Sequence, residues 1–304
     1  MKASLECLEC VVRQALRTAR IASDDPEVHR RVINAVVAEI PQMDMNDSPA
    51  VLSLPLYRYA REISGMDDPY EEIKREQNAA ILALEPMLEA LAAESDAPLI
   101  TALRLAAAGN IIDLGILQGH EIDPHAAIEH AMREPMAVDH TTYFLEALTS
   151  CRDLLYLLDN AGEIVFDKAL IKQLQQHTRV TAVVKAGPII NDACMADAEQ
   201  VGLTDVCEVV DNGGAFVGSP LTLVPPSFLE RMARADIILG KGQGNYETVD
   251  DFDGNVFLLL KAKCEIVARH MGVRLGETAF ISTRRRKAHG PAANASSDRH
   301  VIRV

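Results

Sequence analysis

The run Leu154-Leu155-Tyr156-Leu157-Leu158-Asp159-Asn160-Ala161-Gly162-Glu163 drives an apolar segment straight into two adjacent oxygen-bearing side chains and a glycine. It reads as a strand that ends in a site. Two later segments end the same way: Val180–Val184 runs into Lys185-Ala186-Gly187-Pro188-Ile189-Ile190-Asn191-Asp192, and Ile237–Leu239 runs into Gly240-Lys241-Gly242-Gln243-Gly244-Asn245-Tyr246-Glu247. In an open α/β sheet the carboxyl ends of parallel strands face one crevice, so the three ends are expected to converge there. Two acids, an amide, lysine and exposed backbone N–H groups then meet, a set that suits a divalent cation and a phosphate.

The pattern around these segments agrees. Cys207–Val210 and Val256–Leu260 read as further short strands, and helical stretches lie between several of them, at Phe166–Gln176 and Ser227–Ala235. Such alternation predicts right-handed βαβ units and a largely parallel sheet. Cys264–Met271 reads as the last helix, stopping at Gly272. Upstream, apolar residues recur at helical spacing from Leu5 to about Asn110, as in Leu8, Val11, Val12, Ala15, Leu16 and Ala19. Asp68-Pro69-Tyr70 opens a predicted helix over Pro69–Leu84, with Asp68 as its cap. A helix from Ala97 is expected to end near Gly109, where a glycine suits a left-handed terminus. Residues 1–150 are thus expected to form a mainly helical domain and residues 151–282 an α/β domain. The tail 283–304, with Arg284-Arg285-Arg286-Lys287 followed by Gly, Pro, Ala, Asn and Ser, offers little to bury and is expected to lack structure.

Composition narrows the function classes. The chain has 304 residues, 48% of them hydrophobic, enough for a large core and for two domains. Its formal charge of −14 opposes non-specific attraction to nucleic acid or anionic membrane. Trp is absent and aromatics make up 4%, which leaves little material for base-stacking platforms. No apolar run reaches the roughly 18 residues of a membrane span, and the opening residues lack the apolar core of a signal peptide. The six cysteines are scattered and read as reduced thiols, in keeping with a cytoplasmic location.

A Mg²⁺ or Mn²⁺ site needs hard oxygen ligands and usually one or two protein carboxylates when phosphate supplies more oxygens. Asp159, Asn160 and Asp192 offer that set; the plainer reading makes Asp159 a helix cap and Asn160 a turn residue. In Gly240-Lys241-Gly242-Gln243-Gly244 the glycines admit backbone N–H groups to an anion and Lys241 adds a charge, although the order is that of neither a P-loop nor a dinucleotide fingerprint. A structural turn explains the glycines but not Lys241 and Asn245. Asn110 and Asp113 could bind substrate hydroxyls or cap a helix. Lys74 and Asn78, one helical turn apart, read first as a solvated face. Cys7 and Cys10 have metal-like spacing without a second pair, and read first as buried thiols.

Taken in order, these segments resemble the damage-control phosphatase family, also catalogued as domain of unknown function 89, in its bacterial and archaeal branch. The landmarks are Cys7-x-x-Cys10, Asp68-Pro69-Tyr70 with Lys74 and Asn78, Ala108-Gly109-Asn110-Ile111-Ile112-Asp113, Asp159-Asn160-Ala161-Gly162-Glu163, Lys185-x-x-Pro188-x-x-Asn191-Asp192, Lys241-Gly242-Gln243-Gly244-Asn245-Tyr246-Glu247 and Leu260-Lys261-Ala262-Lys263-Cys264. The resemblance implies an N-terminal all-helical domain packed on a Rossmann-like three-layer α/β domain with a mostly parallel sheet. It implies a metal held by Asp159, Asn160 and Asp192, with Mn²⁺ or Mg²⁺ expected and Co²⁺ or Ni²⁺ as alternatives. Asp159, Asp192 and Lys241 would be catalytic, Lys241 by gripping the phosphate. Asn110, Asp113, Lys185, Gly242, Gly244, Asn245 and Glu247 would line the substrate. The implied activity is hydrolysis of small phosphomonoesters, either sugar phosphates or damaged phosphometabolites. Two other readings use the same crevice: a protein carboxyl methyltransferase that takes S-adenosylmethionine, and a non-catalytic phosphometabolite-binding protein.

Overall fold

The computed structural model describes residues 1–117 and 124–289, with the side chains of 110–117, 124, 127, 288 and 289 outside the description. Seven helices come first: α1 (Leu5–Ala22), α2 (Pro26–Glu39), α3 (Pro49–Ser64), α4 (Glu71–Leu82), α5 (Glu85–Ala93), α6 (Pro98–Leu117) and α7 (Pro124–Arg133). Strands then alternate with helices: β1 (Val138–Asp139), α8 (Thr141–Leu148), β2 (Asp153–Leu157), α9 (Glu163–Leu174), β3 (Arg179–Val184), α10 (Met195–Gln200) and β4 (Glu208–Asp211). The chain continues through α11 (Pro226–Arg234), β5 (Ile237–Lys241), α12 (Gly242–Val249), β6 (Val256–Lys261), α13 (Glu265–Met271), β7 (Thr278–Ser282) and α14 (Thr283–His289).

The strands form one sheet in the order β1-β7-β6-β5-β2-β3-β4. The stretch from β6 to β4 is parallel throughout, and β7 pairs antiparallel with β6. The fold is therefore mixed α/β, as the alternating pattern predicts. From β2 the chain winds outward through β3 and β4, then returns to the other side of β2 for β5 and β6. The direction of winding reverses between β2 and β5, and at such a reversal the connections leave a crevice at the carboxyl ends. Asp159 and Lys241 stand at those two ends.

Apolar residues on both sheet faces explain the continuous runs in the sequence. Every residue of β5 is buried, as are all of β2 except its first. One face packs on α6, α8 and α9, through Leu105, Ala108, Phe144, Phe166 and Leu170, and the other on α11, α12 and α13, through Phe228, Met232, Tyr246 and Val267. A third core unites α1, α2 and α3 and takes in Ile189, Ile190, Ala215 and Val217 from the loops after β3 and β4. The first three helices thus sit over the carboxyl ends of the strands.

Three expectations change. The helix that begins at Pro98 does not end near Gly109 but runs on to Leu117. Gly109 serves a close approach instead: a Cβ there would meet the Glu163 side chain at 3.0 Å and the Phe166 ring at 3.1 Å. The unstructured tail does not begin at 283, because α14 extends to His289 and Arg286 forms a buried ion pair with Asp250. Residues 290–304 lie outside the described residues. The sheet also begins before residue 150: β1 pairs with β7, and Phe144 of α8 packs edge-on against Phe257 and Phe280 at centroid distances of 5.1 and 5.3 Å. Among the described residues no helix is long and apolar enough to cross a membrane.

The α6–α9 contact yields a stability test. Gly109→Leu overpacks the seam against Phe166, so urea denaturation should show a loss of about 1–3 kcal/mol, and an unchanged midpoint would show that the seam has slack.

Candidate active site

The turn after β2 is built around Asp159 and Asn160. The Leu158 amide donates to the Val183 carbonyl at 2.9 Å, carrying the pairing of β2 and β3 one residue beyond β2. Asn160 then bridges to Asp192 in antiparallel fashion, with the Ala161 amide on the Asn191 carbonyl at 2.8 Å and the Ala193 amide on the Asp159 carbonyl at 2.8 Å. The loops after β2 and β3 are therefore stitched together by backbone, and residues 32 positions apart in Asn160 and Asp192 become neighbours. The loop after β3 bends through Ile190 at φ 45°, a left-handed conformation that a β-branched residue rarely adopts.

The third strand end closes over the first. Gly242 has φ 78°, and a Cβ built on it would lie 1.8 Å from Oδ2 of Asp159, so only glycine lets the start of α12 press against that carboxylate. Gly244 faces elsewhere: its missing Cβ makes room for Val217 and the backbone of Gly218.

Charge is concentrated here beyond what the strand ends predict. Asp159, Glu163, Asp167, Lys185, Asp192 and Lys241 are all buried. Lys241 donates to Glu163 and, at 2.9 Å, to Asp167. Lys185 donates to the Leu158 carbonyl at 3.2 Å and faces Asp192 at 3.5 Å. The amide of Asn160 donates to Asp159 at 2.9 Å and to Glu163 at 3.2 Å. Four carboxyls against two ammoniums, all buried, must either hold protons or be joined by a further cation.

The expected site residues fall into distinct groups. Asp159, Asn160 and Asp192 come together, with Gly242 against Asp159 and Lys185 against Asp192. Lys241 is at the site, with its ammonium buried and held by Glu163 and Asp167. Asn245 has its amide engaged by the carbonyls of Leu158 at 3.1 Å and Lys241 at 2.8 Å, tying β2 to β5 instead of facing substrate. Glu247 accepts from Gln243 at 2.8 Å within α12. Asn110 and Asp113 belong to α6, and their side chains lie outside the described residues.

Lys74 and Asn78 are buried rather than solvated. Lys74 pairs with Asp68 at 2.9 Å and Asp197 at 3.4 Å, while Asn78 donates to Asp197 at 2.9 Å and accepts from the Gly162 amide at 2.6 Å. This strut fixes the start of α9 to α4 and α10. Asp167 escaped the strand-end reading because it lies inside a helix, although its spacing of four from Glu163 on a helix buried along most of its length was a usable signal. Cys7 is buried as expected but Cys10 is exposed. Among the described residues no group of three or more His, Cys, Asp or Glu side chains is arranged as a metal cage. The set that could hold a hard cation is two carboxylates and an amide.

The protonation equilibria follow from this crowding. Burial lifts the Asp159 carboxyl well above the ordinary range, Glu163 and Asp192 add to the lift, and Lys263 and Lys185 oppose it. Burial raises Asp167 to about 6 against the pull of Lys241, and Glu247 to about 7. Burial also disfavours charge on Lys241, but Asp167 and Glu163 outweigh it and hold its ammonium protonated above the usual lysine range. The folded chain keeps protons on the three carboxyls that the unfolded chain has released. Their contribution to stability is therefore fully present below about pH 4 and is lost as pH rises, through about 6 for Asp167 and about 7 for Glu247. In chelator the thermal midpoint should fall between about pH 5 and about pH 8, and Asp167→Asn should flatten that fall; a midpoint that climbs over this interval would contradict the assignment.

Comparison with known proteins agrees with this architecture. The family described as damage-control phosphatase ARMT1-like domain matches residues 3–279. A damage-control phosphatase of Pyrococcus horikoshii is 32% identical over 282 residues, covering 91% of this chain and 96% of its own. One from Archaeoglobus fulgidus is 30% identical over 285 residues, covering 91% of this chain and 98% of its own. The crystal structure of a DUF89 family protein from Pyrococcus horikoshii superposes with a TM-score of 0.85 at 30% identity, over 93% of this chain and 99% of that one. The match runs through every strand end described above, and the chain belongs to the damage-control phosphatase ARMT1-like domain family.

Proposed function

We propose that the chain is a divalent-metal-dependent phosphatase that hydrolyses small phosphomonoesters, either sugar phosphates or damaged phosphometabolites. The observation that carries this reading is the backbone bridge that sets Asn160 beside Asp192 while Gly242 presses α12 against Asp159. It brings hard oxygen donors and a helix start to one place, where a phosphoryl group finds both a cation and backbone N–H donors. Family membership, with relatives named as damage-control phosphatases, supports the same conclusion.

The residues fit the metal that the family implies. The buried carboxylates exceed the buried ammoniums, and two carboxylates plus one amide leave room for water and substrate oxygens. A dication held by Asp159, Asn160 and Asp192 would act as a Lewis acid on a phosphoryl oxygen. Mn²⁺ or Mg²⁺ suits the oxygen set best, with Co²⁺ or Ni²⁺ as the alternatives.

The chain's own groups have distinct tasks in this reading. Lys185 faces the Asp192 carboxylate and offsets its charge. Lys241 keeps Glu163 and Asp167 in place, and its positive charge offsets that of a phosphoryl group bound beside Asp159. Backbone N–H groups at the start of α12 offset charge on the transferred group. A water, or a carboxylate whose phosphoryl group water then removes, attacks phosphorus in line; the P–O bond to the alcohol breaks, the alcohol leaves with a proton from that water, and phosphate carrying the water's oxygen is the second product. The small phosphorylated metabolite is the expected partner.

Asp159→Asn and Asp192→Asn each test the reading. Metal-dependent release of phosphate from a sugar phosphate should fall at least about 10²-fold, with the thermal midpoint in chelator unchanged or raised because a buried charge has gone. Full turnover by either purified variant would refute the assignment.

A further inference from the structure

Gln77 stands out in the strut that joins α4 to the active-site turn. Lys74 and Asn78 on the same helix have their polar atoms engaged by Asp68, Asp197, Gln200 and the Gly162 amide. The Gln77 side chain is buried to the same degree, yet among the described residues neither its Nε2 nor its Oε1 has a hydrogen-bond partner. Its root abuts the turn itself: Gln77 Cβ lies 3.3 Å from where a Cβ on Gly162 would be, three residues along the chain from Asp159.

An amide buried with both ends unsatisfied destabilises the fold, and an apolar side chain of the same length would pack there without that cost. The group is explained if a ligand completes it. The chemistry of the missing partner follows from which atoms are open. A phosphate dianion offers acceptors and would leave Oε1 unsatisfied, whereas a hydroxyl both donates and accepts. Donors for the phosphoryl end are already available at the start of α12, which presses on Asp159. Gln77 abuts the same turn from the α4 side, at Gly162, which leaves its amide for the alcohol half of the ester in this reading.

We propose that Gln77 is a specificity residue whose amide hydrogen-bonds a hydroxyl of the leaving alcohol, so that polyol and sugar phosphates are preferred over esters of unhydroxylated alcohols. The inference rests on the phosphatase reading and adds to it a residue that recognises the substrate's alcohol half. Sites that hydrogen-bond a substrate hydroxyl discriminate strongly against analogues that lack it.

The test compares kcat/KM for glucose 6-phosphate and for p-nitrophenyl phosphate, each with the same divalent cation, in the parent protein and in Gln77→Met. The variant should lose about tenfold or more on the sugar phosphate, mainly through KM, while the aryl phosphate stays within about twofold. Its thermal midpoint should be unchanged or raised, since an unpaired amide has been replaced by an apolar chain. Should Gln77→Met not fold, Gln77→Ala is read in the same way. An unchanged ratio of the two substrates, as expected if only water satisfies the amide, or an equal loss on both, overturns the Gln77 assignment and leaves the phosphatase reading intact. A parent protein that hydrolyses neither ester with any of the four metals removes both.

Discussion

Carboxylates repel one another and lose their hydration when buried, yet Asp159, Glu163, Asp167 and Asp192 are gathered beneath the carboxyl ends of β2, β3 and β5, with Lys185 and Lys241 the buried cations among them in the described residues. The rest of the structure is arranged around holding that charge in place. Lys241 spans from β5 to the first two turns of α9, Lys185 reaches from the end of β3 to the Leu158 carbonyl at the end of β2, and Asn160 shares its amide between two acids. Each contact is a charge-assisted hydrogen bond, the strong kind in a region of low dielectric. A core made only for stability would replace such a cluster with packed apolar residues. Its retention points to use.

The helices before the sheet contribute in two ways. Gly109 lets α6 lie close on α9, so the helix that bears Glu163 and Asp167 is backed by a long apolar partner. The short α4 then fixes the beginning of α9 through Asn78 and Gly162, while Lys74 and Asp197 join α4 to α10. The active-site turn is thus clamped from behind by α6 and from the side by α4. Precision at Asp159 depends on residues drawn from more than half the length of the chain.

Much of this was readable in the sequence, and the limits have physical causes. The strand ends were legible because a strand buried on both faces must be an unbroken apolar run, and an abrupt change to Asp-Asn, Asn-Asp or Gly-Lys-Gly marks where it leaves the core. The pairing of Asn160 with Asp192 could only be inferred from the rule that such ends share a crevice. Lys74 and Asn78 looked solvated because, Asp68 apart, their partners Gly162, Asp197 and Gln200 come 84 or more positions later and give no local signal. Gly109 was misread since a glycine inside a helix and one that ends a helix look alike until the neighbouring helix is known. Strand β7 follows Gly276 as a five-residue run whose antiparallel partner, β6, cannot be read from its own residues. The ammonium of Lys241 was expected to face a phosphate because spacing reveals a lysine near glycines, not the acids waiting on α9.

Ile190 links the stability of two regions that seem separate. Its left-handed backbone is held by packing of its side chain into the apolar layer of α1, α2 and α3, and without that support a β-branched residue relaxes to extended geometry. The helices therefore buttress the loop behind Asp192 from one side, while the backbone bonds of Ala161 and Ala193 hold it to the turn after β2 from the other.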